Sequence, residues 1–486
     1  MAQFQEPTST RRWLTEWAAL QFGDDAAEAA SSIMTTYGKL VARRKYEDLS
    51  MTPFAFSTVN YDEAELNLDE WVKLGESAQA VYDKLPASTQ PSFFEVVLHP
   101  ILAGKAVFEI YTKAALATKY AGEKRQSTNE LAKQAQAAFQ TDKDIKKRWN
   151  SLLGGKWNKF MDQTHLGYNN WQQPAQDSIP RLASVTGTSG GGGKMGVVVQ
   201  GGTSNYPAAA AALTLGAITP YTPEQRWIDV FARDTGSFAY QITSNTSFVS
   251  VTNAQGTVTS PSDVRALVRV DWAAAPTGPT TVALTVTADA AAATVLVPVR
   301  KLAAPAGFAG HVEAPGYVSV EAAHFDAAGS GAEYQVLPGY GRTHGGVRLP
   351  PRTASQAAGS GPSLAYPFVT FSEAAAPELT AYLAPSENAN PTSPNRYAFS
   401  VDGGPVTTVQ PVPLANAGGE PPGWAGAVVA GAYVKTSKLG GRLPAGTHVL
   451  RVWLLEPTMV LTKLVVDLGG VKSSALGPPE SVIVGR

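Results

Sequence analysis

Apolar residues recur with a helical spacing in the first part of the chain, from about Thr10 to the neighbourhood of Trp149. Four helix starts are marked by a capping residue three positions before a carboxylate: Asp25 with Glu28, Asn60 with Glu63, Ser92 with Glu95, and Ser127 with Glu130. Pro100 is expected to kink the helix that follows Ser92, or to delay its start. The sequence therefore predicts a helical bundle over residues 1–185.

A glycine run, Gly190 to Gly193, follows the helical region, and neither a helix nor a strand would tolerate it in its interior. A phosphate-binding loop is a second interpretation of glycines that precede Lys194. It fails, because Lys194 is followed by Met195 and Thr188 stands where the motif requires a glycine. The sequence therefore predicts a Gly-rich linker at residues 186–196.

Short apolar segments separated by turn residues fill the rest of the chain. One set runs from Met195 to Lys301 and predicts an Ig-like β-sandwich over residues 197–303. A second set predicts a jelly roll over residues 308–486. The predicted fold class is multi-domain α plus β: an N-terminal helical bundle followed by two antiparallel β-sandwich domains.

Composition and charge narrow the classes of function. The 486 residues include 39 basic and 40 acidic side chains, and this net charge of -1 argues against nucleic acid as a partner. The most apolar short run, residues 208–215, is well below the roughly 18 residues of a membrane span. Cysteine is absent, which excludes disulfides, thiolate nucleophiles and Cys-based zinc sites. The first 30 residues do not follow the order of a signal peptide.

The stretch KWNKFMDQTHLGYNNWQQP, residues 156–174, is the densest polar and aromatic segment. On a helix, Asp162 and His165 would share a face, so the carboxylate could orient the imidazole as an acid/base pair. Aromatic rings beside them would stack on sugar. Asp162 could equally cap a helix end while the aromatic residues pack at the end of the bundle. The candidate substrate-binding residues are Trp157, Asp162, His165, Tyr168 and Trp171.

Four motifs occur in order along nearly the whole chain: RWLTEWAA at 12–19, MDQTH with WQQP at 161–174, VSVEAAHF at 318–325 and LGPPES at 476–481. Together they resemble the C-terminal half of glycoside hydrolase family 115, the xylan α-1,2-glucuronidases that remove (4-O-methyl)glucuronic acid from xylan.

That resemblance implies an architecture in which an α/β domain and a (β/α)8 barrel with the catalytic carboxylates precede a helical bundle and β-sandwiches. The chain resembles the bundle and the sandwiches after it. A barrel needs roughly 250 residues of alternating strands and helices, which the helical first 185 residues do not supply. No catalytic residue of the family is therefore expected here. The resemblance also implies a homodimer, and family members are typically secreted.

Residues 317–325 resemble, in addition, the first strand of jelly-roll carbohydrate-binding modules, where a Glu-Ala-Glu pattern and an aspartate on the last strand hold a structural calcium. Glu321 and Asp467 match that pattern, whereas Ala323 replaces the second glutamate and removes a ligand. The alternative is that Glu321 and Asp467 are solvent-facing, or that one of them pairs with a basic neighbour such as Arg451. Calcium is the one cofactor that the sequence suggests.

The sequence supports three hypotheses of function. The first is an accessory C-terminal region of a xylan α-glucuronidase in hemicellulose degradation, inactive alone, with xylan or a related polysaccharide as partner. The second is a stand-alone carbohydrate-binding or scaffold protein. The third, an active hydrolase that uses Asp162 and His165, has the least support, since the two carboxyl groups required for glycoside cleavage cannot be nominated.

Overall fold

The computed structural model describes residues 10–49, 54–167, 174–187, 194–328, 334–349, 355–388, 390, 392–415 and 419–486. The chain divides into two compact units. The first comprises Met1–Thr58, Ala64–Lys119 and Thr128–Ser184, and the second comprises Val59–Glu63, Tyr120–Ser127 and Val185–Arg486. Six of the predicted linker residues, 188–193, lie outside the described ranges.

The N-terminal region is helical, as predicted. Its helices are α1 (Thr10–Phe22), α2 (Asp24–Val41), α3 (Glu63–Tyr82), α4 (Gln90–Phe93), α5 (His99–Gly122) and α6 (Ser127–Gly155). The capping signal at Ser127 marks the start of α6, whereas Asp25 lies inside α2. A π-helical turn, Phe94–Leu98, precedes α5, so Pro100 occupies the first turn of that helix. None of the described helices is long and apolar enough to cross a membrane.

The core of the helical unit contains a stacked pair of rings, Trp71 of α3 and Phe108 of α5, whose centroids are 4.9 Å apart. Gly104 lets the two helices approach at this point. A Cβ atom at Gly104 would lie 2.6 Å from the Trp71 ring and 2.8 Å from the Tyr46 hydroxyl. Glycine is therefore required here by close packing.

We predict that Gly104→Ala lowers the free energy of unfolding of the helical unit by about 1–3 kcal/mol, because the methyl group overpacks the core. Gly38→Ala is the matched control, since Gly38 lies inside α2 with open space around its missing Cβ. It should raise stability by about 0.5–1 kcal/mol. Urea unfolding followed by circular dichroism measures both; a Gly104→Ala protein as stable as the control would contradict the packing argument.

The first β-sandwich consists of two sheets that enclose one apolar core. The strand orders are β1-β3-β7-β5 and β2-β9-β8-β4-β6. The two longest strands, β8 and β9, pair antiparallel and alternate between buried and less buried residues, as a half-buried strand does. The strands are β1 (Met195–Val199), β2 (Leu213–Thr214), β3 (Trp227–Ala232), β4 (Ser237–Ser244), β5 (Val249–Val251), β6 (Gln255–Thr259), β7 (Val264–Val270), β8 (Gly278–Ala288) and β9 (Ala291–Lys301).

The second sandwich also has two sheets around one core. One sheet has the order β18-β17-β20-β15-β10-β22 with β12 beside β15, and the other has β13-β14-β21-β16-β19 with β11 beside β21. Its elements are β10 (Gly310–Val312), β11 (Tyr317–Glu321), β12 (Asp326–Ala328), β13 (Gln335–Pro338), β14 (Gly345–Arg348), β15 (Ser363–Thr370), β16 (Glu378–Leu383), β17 (Tyr397–Val401), β18 (Thr407–Val409), α7 (Trp424–Ala430), β19 (Tyr433–Lys438), β20 (Gly446–Leu454), β21 (Leu461–Asp467) and β22 (Ile483–Val484). The predicted succession of helices and two β-sandwiches is confirmed, and their strands pair antiparallel except for β2 with β9 and β10 with β15, which are parallel.

Arg125 is a fully buried cation of the second unit. Its guanidinium donates to Asp229 of β3 at 3.1 Å and to Asp263 at 3.2 Å. The same group lies over the rings of Tyr120 and Phe231, 3.9 and 4.5 Å from their centroids. Carboxylates and ring faces thus replace the water that a buried charge loses.

We predict that Arg125→Met lowers the free energy of unfolding by about 3–5 kcal/mol, because Asp263 and Glu123 then lose a buried charged partner, while Asp229 keeps Arg265. Arg442→Met is the control within the same unit, since Arg442 is exposed and pairs with an exposed Glu373. That change should cost at most about 1 kcal/mol. Urea unfolding compares the two proteins, and equal losses would refute the role of the buried cation.

Candidate functional site

The segment that follows α6 turns back along that helix. The helical backbone breaks at Leu152, and Leu153 and Gly154 adopt positive φ angles of 51° and 71°. Asn150 then fixes the returning chain: its side-chain amide donates to Asp162 Oδ1 at 2.6 Å, and its Oδ1 accepts the Met161 N–H at 3.2 Å. Residues downstream of Met161 are thereby directed back towards α6.

Asp177 holds the next part of the segment. Its Oδ1 accepts the backbone N–H groups of His165 at 2.7 Å and Leu166 at 2.9 Å. Burial opposes ionisation of this carboxyl, but the two N–H donors prevail and lower the pKa of Asp177. The Tyr111 hydroxyl of α5 accepts the Gly167 N–H at 3.3 Å. The segment is thus attached to both α5 and α6.

His165 forms an ion pair with a buried carboxylate of α6. Its Nε2 is 2.9 Å from Asp142 Oδ1, and Asp142 is only 3% exposed. Its Nδ1 faces the carbonyl of Gln163 at 3.3 Å and Asp177 Oδ1 at 3.4 Å. The bond to Asp142 raises the pKa of His165, and acceptors at both ring nitrogens favour the doubly protonated imidazolium.

A cavity of about 750 Å³ opens beside this ion pair, within the helical unit. Its wall includes Asp142, His165, His99, Glu95 and Trp149, together with Tyr37, Tyr46 and Phe160. Desolvation lowers the pKa of His99 to about 4, so this imidazole is neutral at pH 7. Burial raises the pKa of Tyr46, whose hydroxyl lies 3.4 Å from that of Tyr37. The cavity therefore combines charged, neutral-polar and aromatic groups.

The predicted pairing of Asp162 with His165 is wrong. Residues 156–161 form turns and residues 162–165 are not helical, so the two side chains do not share a helical face. Asp162 instead lines a separate depression of about 500 Å³ beside Asn150 and several lysines. The carboxylate that contacts His165 is Asp142, 23 residues earlier in the chain.

The aromatic candidates have different positions. Trp157 is 38% exposed, and its ring centroid lies 6.0 Å from that of Phe160, which is 68% exposed and reaches the cavity wall. Tyr168 and Trp171 lie outside the described residues. That Trp157, Asp162, His165, Tyr168 and Trp171 bind substrate stays a prediction.

Sequence reasoning missed Asp142, Glu95, His99 and Trp149. A signal for them exists, because Glu95 and His99 are four residues apart and Asp142 and Trp149 are seven apart, spacings that place each pair on one helical face. These faces carry polar groups where an apolar stripe would be expected.

A second polar cluster joins two of the sequence motifs within the second sandwich. Glu480 Oε1 lies 3.1 Å from His311 Nε2 and 2.7 Å from His324 Nδ1, and it accepts the Glu321 N–H at 3.1 Å. Burial alone would raise the pKa of Glu480, but these contacts lower it to about 2. The Ser319 hydroxyl donates to the Pro478 carbonyl at 3.1 Å. The motif at 476–481 is thereby attached to the motif at 318–325.

Glu321 and Asp467, the suggested calcium ligands, do not form one site. In the antiparallel pairing of β11 with β21, Asp467 lies opposite Tyr317, whereas Glu321 lies opposite Lys463. The two carboxylates are therefore about 13 Å apart along the strands, while oxygens that bind one Ca²⁺ lie within about 5 Å of each other. That the chain binds a structural calcium ion stays a prediction.

The carboxylates of Glu321 and Asp467 are each bound by other groups of the protein. Buried Glu321 is 3.2 Å from Lys463 Nζ and accepts the Thr343 hydroxyl at 2.7 Å. Asp467 Oδ1 accepts three successive backbone N–H groups, from residues 469 to 471, at 2.7–3.2 Å. Among the described residues, no group of three or more His, Asp or Glu side chains is arranged to hold a metal ion.

Residues 310–480 match the sequence profile of the glycosyl hydrolase family 115 C-terminal domain. This part of the chain is a family 115 C-terminal domain. The resemblance drawn from the motifs is thereby confirmed, and residues 318–325 and most of 476–481 lie inside the matched range.

Similarity of fold extends beyond the family 115 domain. The chain resembles the family GH115 4-O-methyl-α-glucuronidase BtGH115A, described as having specificity for decorated arabinogalactans, with a TM-score of 0.52 and 14% identity. The match covers 94% of this chain and 41% of that protein, so the chain spans less than half of its length. At this identity the likeness shows the fold alone.

Two smaller structures match about a third of the chain. The family 35 carbohydrate-binding module from Cellvibrio japonicus Abf62 matches at TM-score 0.22 and 14% identity, over 32% of this chain and 97% of its own. The module CBM6cm-2 from Cellvibrio mixtus lichenase 5A, solved with cellotriose, matches with a TM-score of 0.20 and 18% identity. This match covers 31% of this chain and 95% of that module. No curated protein sequence matches the chain significantly.

We predict that a histidine NMR titration of the full chain gives His165 a pKa above its ordinary value of about 6.5 and His99 a pKa of about 4. Asp142→Asn removes the charged acceptor and should lower the pKa of His165 towards the ordinary value. Asp144→Asn is the control, because Asp144 is exposed on the same helix. A His165 pKa at or below the ordinary value would contradict the ion pair.

The same pair sets a pH dependence of stability. Because the folded pKa of His165 is raised, its stabilising contribution is complete below about pH 6.5 and is lost as pH rises through the folded pKa. His99 acts in the opposite direction: its lowered pKa destabilises the fold as pH falls from about 6.5 towards 4. As pH rises above about 6.5, the melting temperature of Asp142→Asn should therefore fall less than the melting temperature of the unaltered chain.

Proposed function

We propose that the chain is the accessory region of a family 115 (4-O-methyl)-α-glucuronidase, and that it binds polysaccharide without cleaving the glucuronide bond on its own. The observation that carries the proposal is the family 115 C-terminal domain at residues 310–480, a glycoside hydrolase accessory region. The fold shared with BtGH115A over 94% of the chain supports extending this role to the helical unit.

The contacts of His165 argue against its use as a general base. Glycoside cleavage ordinarily uses one carboxyl group as acid and a second as nucleophile or base. Asp142 is engaged by the imidazolium of His165, and both nitrogens of His165 already face acceptors. An imidazolium in this position has no free nitrogen with which to accept a proton from substrate.

The polysaccharide is proposed to be glucuronoxylan, with arabinogalactan as the alternative because BtGH115A is described as specific for decorated arabinogalactans. Glucuronoxylan carries (4-O-methyl)glucuronic acid on a neutral xylan backbone. Association into a homodimer is part of the proposal, and light scattering would test it by giving twice the mass of one chain.

We predict that the purified chain releases no 4-O-methylglucuronic acid from glucuronoxylan or arabinogalactan, yet is retarded in affinity gels that contain one of them. An unrelated protein of similar net charge run in the same gels controls for non-specific retardation. Release of the acid that is lost on His165→Gln would overturn the proposed inactivity. Equal mobility with and without both polymers would overturn the proposed binding.

A further inference from the structure

The depression of about 500 Å³ that Asp162 lines lies within the helical unit, and its wall carries mainly cationic and neutral polar side chains. Lys143, Lys146 and Lys147 of α6 all contribute to this wall. Residues three and four apart are neighbours on a helix surface, so the three ammonium groups share one face of α6. Ser151 and Asn158 add neutral hydrogen-bonding groups.

Two of these lysines have no carboxylate partner. Among the described residues, neither Lys143 nor Lys147 forms an ion pair, although Asp144 lies three positions before Lys147. Asp144 instead accepts the side-chain amide of Gln140 at 3.1 Å. The ammonium group of Lys143 lies 3.9 Å from the centroid of the Phe139 ring. Both lysines are exposed and can therefore receive an anion from solution.

The carboxylates near the depression offset its positive charge only in part. Lys146 is 3.6 Å from Asp177, and Asp162 accepts the amide of Asn150 at 2.6 Å. Residues 143–159 nevertheless include six basic side chains and one acidic side chain, a net charge of +5 in a chain whose net charge is -1. Such a local excess of one sign attracts a ligand of the opposite sign.

The helix dipole does not account for these lysines. It favours cations only within the last turn of a helix, and Lys143 lies more than two turns before the break at Leu152. Like charges four residues apart, as in Lys143 and Lys147, destabilise a helix. A bound anion would remove that repulsion.

Exposed rings beside the depression indicate that the anion belongs to a sugar. Trp157 precedes Asn158 of the wall and is 38% exposed, and its ring centroid lies 6.0 Å from that of the more exposed Phe160. Lys156 Nζ is 4.9 Å from the centroid of a Trp157 ring. Aromatic rings pack on the C–H faces of sugars, amides bind hydroxyl groups, and ammonium groups bind carboxylates. An acidic sugar matches all three kinds of group.

We propose that this depression binds the carboxylate of a uronic acid unit in a polysaccharide, with Lys143 and Lys147 as its cationic partners and Trp157 as adjoining ring surface. The inference rests on the proposed function for the choice of polymer, because glucuronoxylan carries (4-O-methyl)glucuronic acid on a neutral backbone. It adds to that function a preference for the charged side groups over the backbone.

The test is affinity electrophoresis of the full chain in glucuronoxylan and in the same polymer after chemical reduction of its carboxyl groups to alcohols. The dissociation constant should be at least about threefold lower for the native polymer, because exposed ion pairs contribute modestly. The difference should shrink as salt is added. Equal retardation by the two polymers overturns the inference, and so does stronger retardation by polyuridylate, which carries phosphate instead of carboxylate.

Single variants locate the binding site. Lys147→Gln and Lys143→Gln should each weaken binding of native glucuronoxylan by about twofold to fivefold and leave binding of the reduced polymer unchanged. Lys133→Gln is the matched control, since it removes the same charge from an exposed position of the same helix outside the depression. Affinity of Lys143→Gln and Lys147→Gln equal to that of Lys133→Gln would overturn the inference.

The outcomes separate this site from the proposed accessory function. Equal retardation by the native and the reduced polymer, or lysine variants that bind as the control does, rejects the site and leaves the accessory function in place. Absence of retardation by every polysaccharide rejects both. Circular dichroism of each variant confirms that the helical unit remains folded, as expected for substitutions of exposed lysines.

Discussion

The ion pair between Asp142 and His165 is the interaction on which the helical unit's cavity depends. A carboxylate with 3% exposure cannot remain charged without a partner, and Asp142 receives its partner from a segment beyond the end of its own helix. His165 reaches Asp142 because the helix breaks at Leu152–Gly154 and Asn150 binds the returning chain. Asp177 then holds the backbone of His165 and Leu166 in place. The returning segment then forms one wall of the cavity and α6 forms another.

In the second unit, buried charged side chains also pair with residues that are distant in the sequence. Arg125 is paired with Asp229 and Asp263, more than 100 residues away, as well as with neighbouring Glu123, and Glu480 is paired with His311 and His324. Breaking such a pair leaves the remaining charge buried, which is costly whichever partner is lost. These contacts therefore specify how distant segments meet, whereas the apolar core alone would tolerate alternatives.

The periodicity of the sequence was sufficient to predict the helices and strands. It was insufficient to predict which side chains pair at the candidate sites. Helical spacing, like the alternation along β8 and β9, is a local property, and the structure follows it. The pairing of Asp162 with His165 assumed a continuous helix, which turns at residues 156–161 interrupt. The pairing of Glu321 with Asp467 depended on strand register, and a sequence cannot supply the register between β11 and β21.

An imidazole beside a carboxylate can serve catalysis or binding, and the contacts of the second nitrogen distinguish the two roles. A general base needs one ring nitrogen free to accept a proton. In His165 the Nδ1 faces Gln163 and Asp177 while Nε2 faces Asp142, so acceptors at both nitrogens favour the protonated ring. Asp142 Oδ1 is engaged by that ring, whereas Oδ2 is buried without a hydrogen-bond partner among the described residues. The pair therefore fixes the returning segment against α6 and leaves neither nitrogen of His165 free for proton transfer.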